Sequence, residues 1–251
     1  MRRPAAIAII ACFVVLLCYA GDFWEKPADS WNKSQALKML ADSPWAIRHS
    51  YAREFSVNYD GPSRRAEQTE DLRPNVSQTQ SRSGENEIFF HYTMRLFSAA
   101  PIRDAFTRVL QIQNSYETLA PEKKAAFDEA CRQEFTFDPD TIVVTFEVNT
   151  NDREVGLELE RQLRQPALNQ LRQQAYLVSE RLGKIEISQY IPATTNGRQH
   201  KFVFPRQWQG QPVVTPQDNK LTFDFQVPVT DHKIYARWKP EKMKYRGTLE
   251  Y

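Results

Sequence analysis

Histidine, aspartate and glutamate are the residues of this chain that could hold a metal ion or move a proton. The chain has 4 histidines, and none of them lies close in sequence to another or in the His-Glu-x-x-His pattern of zinc enzymes. Asp138-Pro-Asp140 could offer two carboxylates to calcium, but a turn before a strand explains it and the other oxygen ligands are missing. The sequence therefore predicts no metal site and no cofactor.

Nucleophilic catalysis has little support in the sequence. It contains no Gly-x-Ser-x-Gly elbow and no glycine-rich phosphate loop. Ser30-Trp-Asn-Lys33 matches the Ser-x-x-Lys pattern of serine acyl-enzymes, but the Ser-Asp-Asn and Lys-Thr-Gly elements that accompany it are missing. A pair of carboxylates that hydrolyses sugars stays an open alternative, because two acidic residues far apart in sequence can lie close together in the fold. We therefore predict no catalytic residue and favour a non-catalytic protein, with a hydrolase assembled only in three dimensions as the alternative.

Tryptophans are concentrated near the start of the chain. Trp24, Trp31 and Trp45 surround one short predicted helix. One interpretation is a hydrophobic cluster where this helix packs on the domain. The other is a partly exposed aromatic patch that binds a partner, either an envelope protein or a surface polymer. On the second interpretation, these three residues are the predicted binding residues.

Segment 1–20 has the layout of an export signal. Two arginines precede an apolar run, and Cys18-Tyr-Ala20 is an acceptable small-x-small cleavage site. The alternatives are cleavage near Ala20, retention as an anchor, and lipoprotein processing at Cys12 or Cys18; the apolar run is slightly shorter than the ~20 residues that span a membrane. Each alternative predicts an exported domain, periplasmic or extracellular, that contacts a membrane only through this segment if it is retained.

The charge balance argues against nucleic acid as a partner. The chain has 33 Lys and Arg against 31 Asp and Glu, and two of the arginines lie in segment 1–20, which leaves 31 of each sign. A neutral domain lacks the general attraction on which binding to nucleic acids and anionic membranes depends. Removal of the signal would also leave Cys131 as the one cysteine, so we predict no disulfide and a buried thiol on a helix.

Hydrophobic periodicity predicts both helices and strands. Helical spacing predicts helices at 33–41, with Asn32 and Gln35 as a capping box, from Pro101 and Pro121, where a proline begins the helix, and at 152–164. Alternation predicts strands at 52–59, 88–97, 141–148, 176–179, 184–188, 200–204, 220–227, 233–238 and 243–251. At 176–182 a continuing helix is the alternative to a hairpin. Within 88–97, we expect His91 to be a hydrogen-bonded core residue.

Segment 59–87 differs from the rest of the chain in composition. Its apolar residues are only Tyr59, Ala66, Leu72 and Val76, among many polar and charged residues. Such a composition cannot offset the entropy cost of ordering the backbone. We predict a flexible loop inside the domain, because strand-like sequence flanks it on both sides.

Several stretches together resemble a family of uncharacterised exported bacterial proteins. Phe23-Trp-Glu-Lys-Pro, Trp31 and Leu40-Ala-Asp-Ser-Pro-Trp-Ala46 are similar to its start, where tryptophans precede a short helix and an Asp-Ser-Pro-Trp-Ala motif. Later similarity is found at 97–103, 202–206 and 242–251. The resemblance covers most of the mature chain. It implies an exported protein of one domain and no particular activity.

These patterns together predict one α+β domain over residues 21–251. Helices should occupy the first two thirds, and a mainly antiparallel β-meander should form the C-terminal part. The function that this organisation favours is an envelope-associated binding or structural module.

Overall fold

The computed structural model describes residues 22–54, 87–166, 168–194, 199–230 and 232–251. The predicted signal segment 1–20 lies outside these residues and stays a prediction. The predicted loop 59–87 also lies outside them apart from Glu87, which begins a strand.

Both helices and strands occur, as the sequence predicts. The helices of the described residues are α1 (Lys33–Ala41), α2 (Ala100–Gln113), α3 (Pro121–Glu134), α4 (Arg153–Arg164) and α5 (Leu168–Gln174). The strands are β1 (Ala46–Glu54), β2 (Glu87–Leu96), β3 (Thr141–Thr150), β4 (Ala175–Ser179), β5 (Gly183–Glu186), β6 (Gln189–Ile191), β7 (His200–Pro205), β8 (Gln207–Trp208), β9 (Gln211–Pro212), β10 (Leu221–Gln226), β11 (Lys233–Trp238), β12 (Lys244–Tyr245) and β13 (Thr248–Leu249). The predicted α+β class is confirmed, with antiparallel strands at the C-terminal end.

Two antiparallel sheets contain most of the strands. The larger sheet has the strand order β1-β2-β3-β7-β6, and the smaller sheet has the order β11-β10-β4-β5. The later strands are therefore divided: β6 and β7 extend the sheet that the earlier strands begin, whereas β4, β5, β10 and β11 form the other. Strand β1 contacts β11, so the edges of the two sheets meet at one side of the molecule.

The two sheets pack face to face through phenylalanines. The ring centroid of Phe146 lies 5.2 Å from that of Phe225. The ring centroid of Phe202 lies 5.1 Å from Phe223 and 5.0 Å from Phe225. All four rings are buried, and tilted or edge-on pairs at these distances add to the free energy of the area that they bury. We call the two facing surfaces the inner faces, and the opposite side of the larger sheet the outer face.

The start of each long helix follows from its local sequence. Asn32 Oδ1 accepts from the Gln35 N–H at 2.9 Å and Gln35 Oε1 accepts from the Asn32 N–H at 3.0 Å, which confirms the capping box of α1. Asp152 caps α4 by accepting from the Val155 N–H at 2.9 Å. Prolines lie in the first turns of α2 and α3, where the helix needs no backbone donor. No helix in the described ranges is long and apolar enough to cross a membrane.

Of the two alternatives predicted near residue 176, the structure shows the hairpin and not the longer helix. Helix α5 ends at Gln174, and β4 pairs with β5 so that Leu177 lies opposite Ile185. Both side chains are fully buried, and Gly183 closes the turn with a φ of 71°, which glycine adopts without strain. The alternation of the strand thus places both residues in the core.

Two strands differ in extent from the prediction. Strand β1 begins at Ala46, where it pairs with Arg95, because backbone pairing to β2 holds the polar stretch at 48–50 in the sheet; residues 55–59 lie outside the described ranges. The predicted last strand, 243–251, is a small hairpin of β12 and β13. Arg246 and Gly247 have φ values of 50° and 80°, the backbone of a two-residue hairpin turn.

The prediction that His91 lies in the core is wrong. Ile88, Phe90 and Tyr92 occupy the buried side of β2, so His91 points to the other side with Phe89, which is 41% exposed. The strand was predicted correctly, but both of its sides are rich in aromatic residues. Alternation alone therefore did not identify the buried side.

Candidate functional site

Trp24, Trp31 and Trp45 come together in the structure. With Phe23 and Tyr245 they form what we call the aromatic cluster, in which neighbouring ring centroids are 5.1–6.5 Å apart. Every pair is edge-on, with interplanar angles of 69–87°, the geometry that aromatic quadrupoles favour. The cluster joins residues from the two ends of the described chain.

Two of the three tryptophans have no surface to offer a partner. Trp31 and Trp45 are 0% exposed. The Trp45 Nε1–H donates to the Glu250 carbonyl at 2.8 Å, and the Trp31 Nε1–H donates to the Lys26 carbonyl at 3.2 Å. Their packing agrees with the interpretation as a hydrophobic cluster. Binding of a partner stays a prediction only for Trp24, which is half-buried.

Trp24 lines an open groove of about 700 Å³ together with Phe23 and Pro44. The charged residues of this groove have both signs: Asp22, Glu25, Lys38, Asp42, Glu241, Lys242 and Lys244. A mixed wall around one half-buried tryptophan does not select one ligand chemistry. The strongest candidate site therefore lies elsewhere.

The serines near basic groups do not assemble a catalytic site. Ser30 Oγ donates to the Pro27 carbonyl at 2.6 Å and stabilises a turn. Ser50 Oγ lies 2.8 Å from His91 Nδ1, but both residues are exposed. In the part of the chain that the structure describes, no acidic side chain hydrogen-bonds to His91. An activated serine requires such an orienting group and donors for the oxyanion.

A buried histidine connects α4 to the larger sheet. His200 is 0% exposed, with Nε2 3.3 Å from Glu160 Oε2 and Nδ1 2.8 Å from Tyr190 Oη. The Ala193 N–H donates to Nδ1 at 3.3 Å, so Nδ1 is an acceptor and Nε2 carries the hydrogen toward Glu160. Burial lowers the pKa of His200 more than Glu160 raises it, and burial also raises the pKa of Tyr190. This network stabilises the core and has no surface for a substrate.

Cys131 is the free cysteine of the described residues, and it is buried, as predicted. Burial raises the pKa of its thiol, which lowers the thiolate population on which cysteine reactivity depends. Within the described ranges, no group of three or more His, Cys, Asp and Glu side chains is arranged to hold a metal ion.

One cross-strand row on the outer face combines covered and open side chains. Ala46 pairs with Arg95, Arg95 with Thr145, Thr145 with Lys201, and Lys201 with Ile191. Paired residues on neighbouring strands share one side of a sheet. These five residues, which we call the outer row, therefore cross the whole larger sheet.

The half of the outer row around Arg95 is closed. Arg95 is 8% exposed; its Nε donates to the Leu40 carbonyl at 2.6 Å and its Nη1 donates to Glu147 Oε2 at 2.9 Å. The guanidinium lies 5.7 Å from the ring centroid of Phe106. Helices α1 and α2, which contribute Leu40 and Phe106, cover this half, and the chain itself supplies hydrogen-bond acceptors and a counter-charge to the cation.

The half around Lys201 is open. Ile191 is 40% exposed, and Lys201 Nζ lies 4.8 Å from the ring centroid of Phe97. No carboxylate oxygen of the described residues lies within 4.0 Å of this Nζ. The side chain therefore has an aromatic surface beside it, but it has no counter-charge there.

Two cavities meet at the open half and share Phe97, Ile191 and Lys201. One of about 460 Å³ lies over β3, β6 and β7, and the other, of about 320 Å³, lies between β6 and α2. We call the two together the outer-face cleft. Phe97, Phe106 and Phe135 form its apolar floor, with centroids 6.0–6.1 Å apart.

The electrostatics of the cleft centre on Lys201, the one cation among its described lining residues. Glu134 and Asp138 line opposite cavities, and Asp138 Oδ1 accepts from the Asp140 N–H at 2.9 Å. A ligand with an apolar part and one carboxylate would find its charge partner at the centre and repulsion toward the two ends. The cleft can thus bind and orient, but it offers no nucleophile beside a base.

No sequence pattern gave a residue of the outer-face cleft a binding role, and Asp138 was predicted only as part of a turn. The available signal was the alternation of β7, in which Lys201 lies on the side opposite the buried His200 and Phe202. That signal places Lys201 on one side of a strand, but it does not reveal that Ile191 is its neighbour, because the strand order is a long-range property.

No known protein family matches the sequence, and no curated protein matches it either. A search of solved structures finds a similar chain, a protein of unknown function from Burkholderia pseudomallei K96243, with 10% sequence identity and a TM-score of 0.42. The similarity covers 63% of this chain and 77% of that chain. The resemblance to a family of exported bacterial proteins stays a prediction.

Proposed function

We propose that this protein is a non-catalytic binding module of the cell envelope whose outer-face cleft takes an extended segment of a partner envelope protein. The observation that carries the proposal is the open half of the outer row. There an apolar floor, the exposed side chain of Ile191 and the charge of Lys201, which has no counter-charge among the described residues, meet in one place. Contiguous apolar surface of this kind is typical of interaction sites.

The form of the cleft favours an extended polypeptide. Among the described residues, β6, which lines the cleft, is an edge strand that pairs with β7 alone. An edge strand can accept an added strand, whose alternate side chains then enter pockets on one side of the sheet. An acidic side chain or a terminal carboxylate of that segment would pair with Lys201.

A hydrolase is the second candidate, supported by the 2.8 Å contact between Ser50 Oγ and His91 Nδ1. If this pair were catalytic, Ser50→Ala would abolish hydrolysis of an activated ester, and Ser30→Ala would leave the rate unchanged. A binding module shows no such hydrolysis above the rate of the buffer.

Export belongs to the same proposal and rests on segment 1–20. Fractionation of the host cell should find the protein outside the cytosol, either shortened near Ala20 or retained by the membrane. Full-length chain in the cytosol would refute the export part and would leave the binding proposal intact.

Photo-crosslinking from inside the cleft tests the binding proposal. We expect a photoreactive phenylalanine analogue at Ile191 to give one discrete crosslinked polypeptide in host cells. The matched control is the same analogue at Leu157, an apolar residue on α4 that is 61% exposed, which should give none.

Intact-mass measurement distinguishes the outcomes of that experiment. A polypeptide adduct specific to position 191 supports the proposal. An adduct with the mass of a single lipid would show that the cleft binds an amphiphile, and it would refute the proposal of a protein partner. Equal crosslinking at both positions, or none at either, refutes a dedicated cleft.

A further inference from the structure

A pair of histidines lies where the edges of the two sheets meet. His49 is on β1, and His232 comes directly before β11. Their Nε2 atoms are 3.0 Å apart, their ring centroids are 5.1 Å apart, and their planes differ by 12°. The rings therefore lie end to end with their outer nitrogens facing each other. The two residues are 183 positions apart in the chain, which is why sequence spacing predicted no metal site.

The ring of His232 lies beside two tyrosine rings. The ring of Tyr51 stacks on it with centroids 4.0 Å apart, and the ring of Tyr92, which is 0% exposed, lies 6.0 Å away. The His232 N–H donates to Thr230 Oγ1 at 3.2 Å, and its carbonyl accepts from the Val227 N–H at 2.9 Å. His232 is thus pre-positioned by its backbone and by its aromatic neighbours.

The turn that presents His232 is strained. Val229 has a φ of 71°, a left-handed conformation that is a real outlier for a β-branched residue. Beside this turn lies the buried Tyr92 hydroxyl, which has no hydrogen-bond partner among the described residues. Strained backbone and unsatisfied polar atoms are concentrated at functional sites, so this corner differs from an ordinary sheet edge.

We propose that His49 and His232 bind one late first-row divalent metal ion, Cu²⁺ or Zn²⁺, through their two Nε2 atoms, with water completing the coordination. Imidazole nitrogens are ligands that both ions prefer. Metal–nitrogen bonds of about 2.0–2.1 Å at a tetrahedral angle place two ligand nitrogens about 3.3 Å apart. The observed 3.0 Å therefore requires only a small rotation of the side chains.

The chemistry of the pair fits this role without a third charged ligand. Two neutral imidazoles share one hydrogen between their Nε2 atoms. When the ion binds, that hydrogen moves to Nδ1 of its own ring, and each Nε2 then presents a lone pair to the metal. His49 is exposed and His232 is half-buried, so hydrated ions can reach the site and water can fill the open positions.

The bound ion would connect the two sheets. His49 belongs to the first strand of the larger sheet, and His232 lies in the turn between β10 and β11 of the smaller sheet. Because the two nitrogens converge only in the folded chain, the ion binds the native state and stabilises it. Metal binding would thus fasten the edge at which β1 and β11 meet.

Titration calorimetry with Zn²⁺, on untagged protein freed of metal, tests this site. We expect one Zn²⁺ to bind the wild type, and His49→Gln and His232→Gln each to lower the affinity at least about tenfold, since even outer ligands contribute tenfold or more. The matched control is His91→Gln, an exposed histidine on the other side of the larger sheet, which should bind as the wild type does. Zn²⁺ should also raise the melting temperature of the wild type and of His91→Gln only.

Electron paramagnetic resonance with Cu²⁺ gives an independent measurement. Two nitrogen ligands are expected in the wild type and one in either single variant. Failure of the wild type to bind either ion overturns the proposal. An equal loss of affinity in all three folded variants, or no loss in any, overturns it as well. The result does not depend on the proposed function of the outer-face cleft.

Discussion

The two halves of the outer row place similar side chains in opposite environments. Arg95 is 8% exposed, with its guanidinium bonded to Glu147 and to the Leu40 carbonyl. Lys201 lies two strands away in the same row, beside an aromatic ring like Arg95, but it has no counter-charge among the described residues. Helices α1 and α2 cover the first half, and the outer-face cleft lies open at the second.

The arrangement of the closed half is explained by its contribution to folding stability, whereas the arrangement of the open half is not. The closed half buries apolar surface and pairs its charges, so it contributes to stability without any partner. The exposed apolar side chain of Ile191 contributes little to the stability of the folded state, and so does the charge of Lys201, which has no counter-charge among the described residues. Folding stability does not require an apolar side chain to be exposed here beside a cation. Selection for binding a partner can maintain such a surface, which supports the proposal that the outer-face cleft is the binding site.

The largest expected effect is on the closed half. Arg95→Met should lower the free energy of unfolding by about 3 kcal/mol, because it leaves the Glu147 charge and the Leu40 carbonyl without their donor. The value lies at the low end for broken buried pairs, since the Glu147 side chain is 19% exposed. Urea unfolding provides the measurement.

Arg161→Met is the matched control for that variant. It breaks an exposed ion pair with Glu158, in which Arg161 is 64% exposed, and should leave the free energy of unfolding nearly unchanged, because water screens such a pair. Equal losses in the two variants would show that the Arg95 half is not closed in the way described.

The stability of the protein should depend on pH through His200, which lies on the inner side of β7 next to Lys201 in the sequence. Burial lowers the pKa of His200, so the unfolded chain takes up a proton at about pH 6.5 that the folded chain takes up only at lower pH. The stability contribution is complete above that value and is lost as the pH falls through it, by at most about 1.4 kcal/mol per pH unit.

Urea unfolding at several pH values measures this slope, and His200→Gln should reduce it. If the variant loses stability with falling pH as steeply as the wild type, the slope has another origin and His200 is not held in its neutral form by burial.

A gain of stability is expected at the boundary between the two halves. Thr145 Oγ1 is buried without a hydrogen-bond partner among the described residues. Thr145→Val keeps the shape and removes this unsatisfied hydroxyl, so the free energy of unfolding should rise by about 1 kcal/mol. On the same strand, Thr141 Oγ1 donates to the Asp138 carbonyl at 2.6 Å. Thr141→Val should therefore lower the stability by about 1 kcal/mol, and a loss in both variants would contradict the assignment.

The smallest effect on stability is expected in the open half. Lys201→Met and Ile191→Ser should each change the free energy of unfolding by less than about 0.5 kcal/mol, because neither side chain is fully buried or paired with a charge among the described residues. Lys201→Met should still weaken crosslinking from the analogue at position 191. If either variant lowered the free energy of unfolding by several kcal/mol, the open half would be part of the core, and it would not differ from the closed half in the way described.

The fold was predictable wherever local chemistry determines it. The capping box at Asn32 and Gln35 and the alternation of β3 and β7 are properties of neighbouring residues, and the sequence predicted each of them. The strand order was not predictable, because it depends on pairings such as that between β3 and β7, which no local pattern encodes. His91 shows the same limit within one strand, since both sides of β2 carry aromatic residues.

The sites were harder to predict because they depend on contacts between distant positions. The sequence pointed to Trp45 as a binding residue, yet its indole bonds to the carbonyl of Glu250, 205 positions away. The same long-range folding unites His49 with His232 and places Ile191 beside Lys201. The aromatic composition therefore correctly indicated a cluster. How far each ring of the cluster is exposed could be determined only from the complete fold.

The most direct test of the account is whether the open half is covered in the cell. Ile191→Cys and Leu157→Cys, in a Cys131→Ala background, should react with a membrane-permeant maleimide at similar rates in purified protein, as judged by mass spectrometry at each position. In intact host cells we predict that labelling at position 191 becomes about tenfold slower if nine tenths of the molecules are bound, with no change at position 157. Labelling at position 191 that is as fast in cells as in purified protein would contradict the claim that a partner occupies the outer-face cleft.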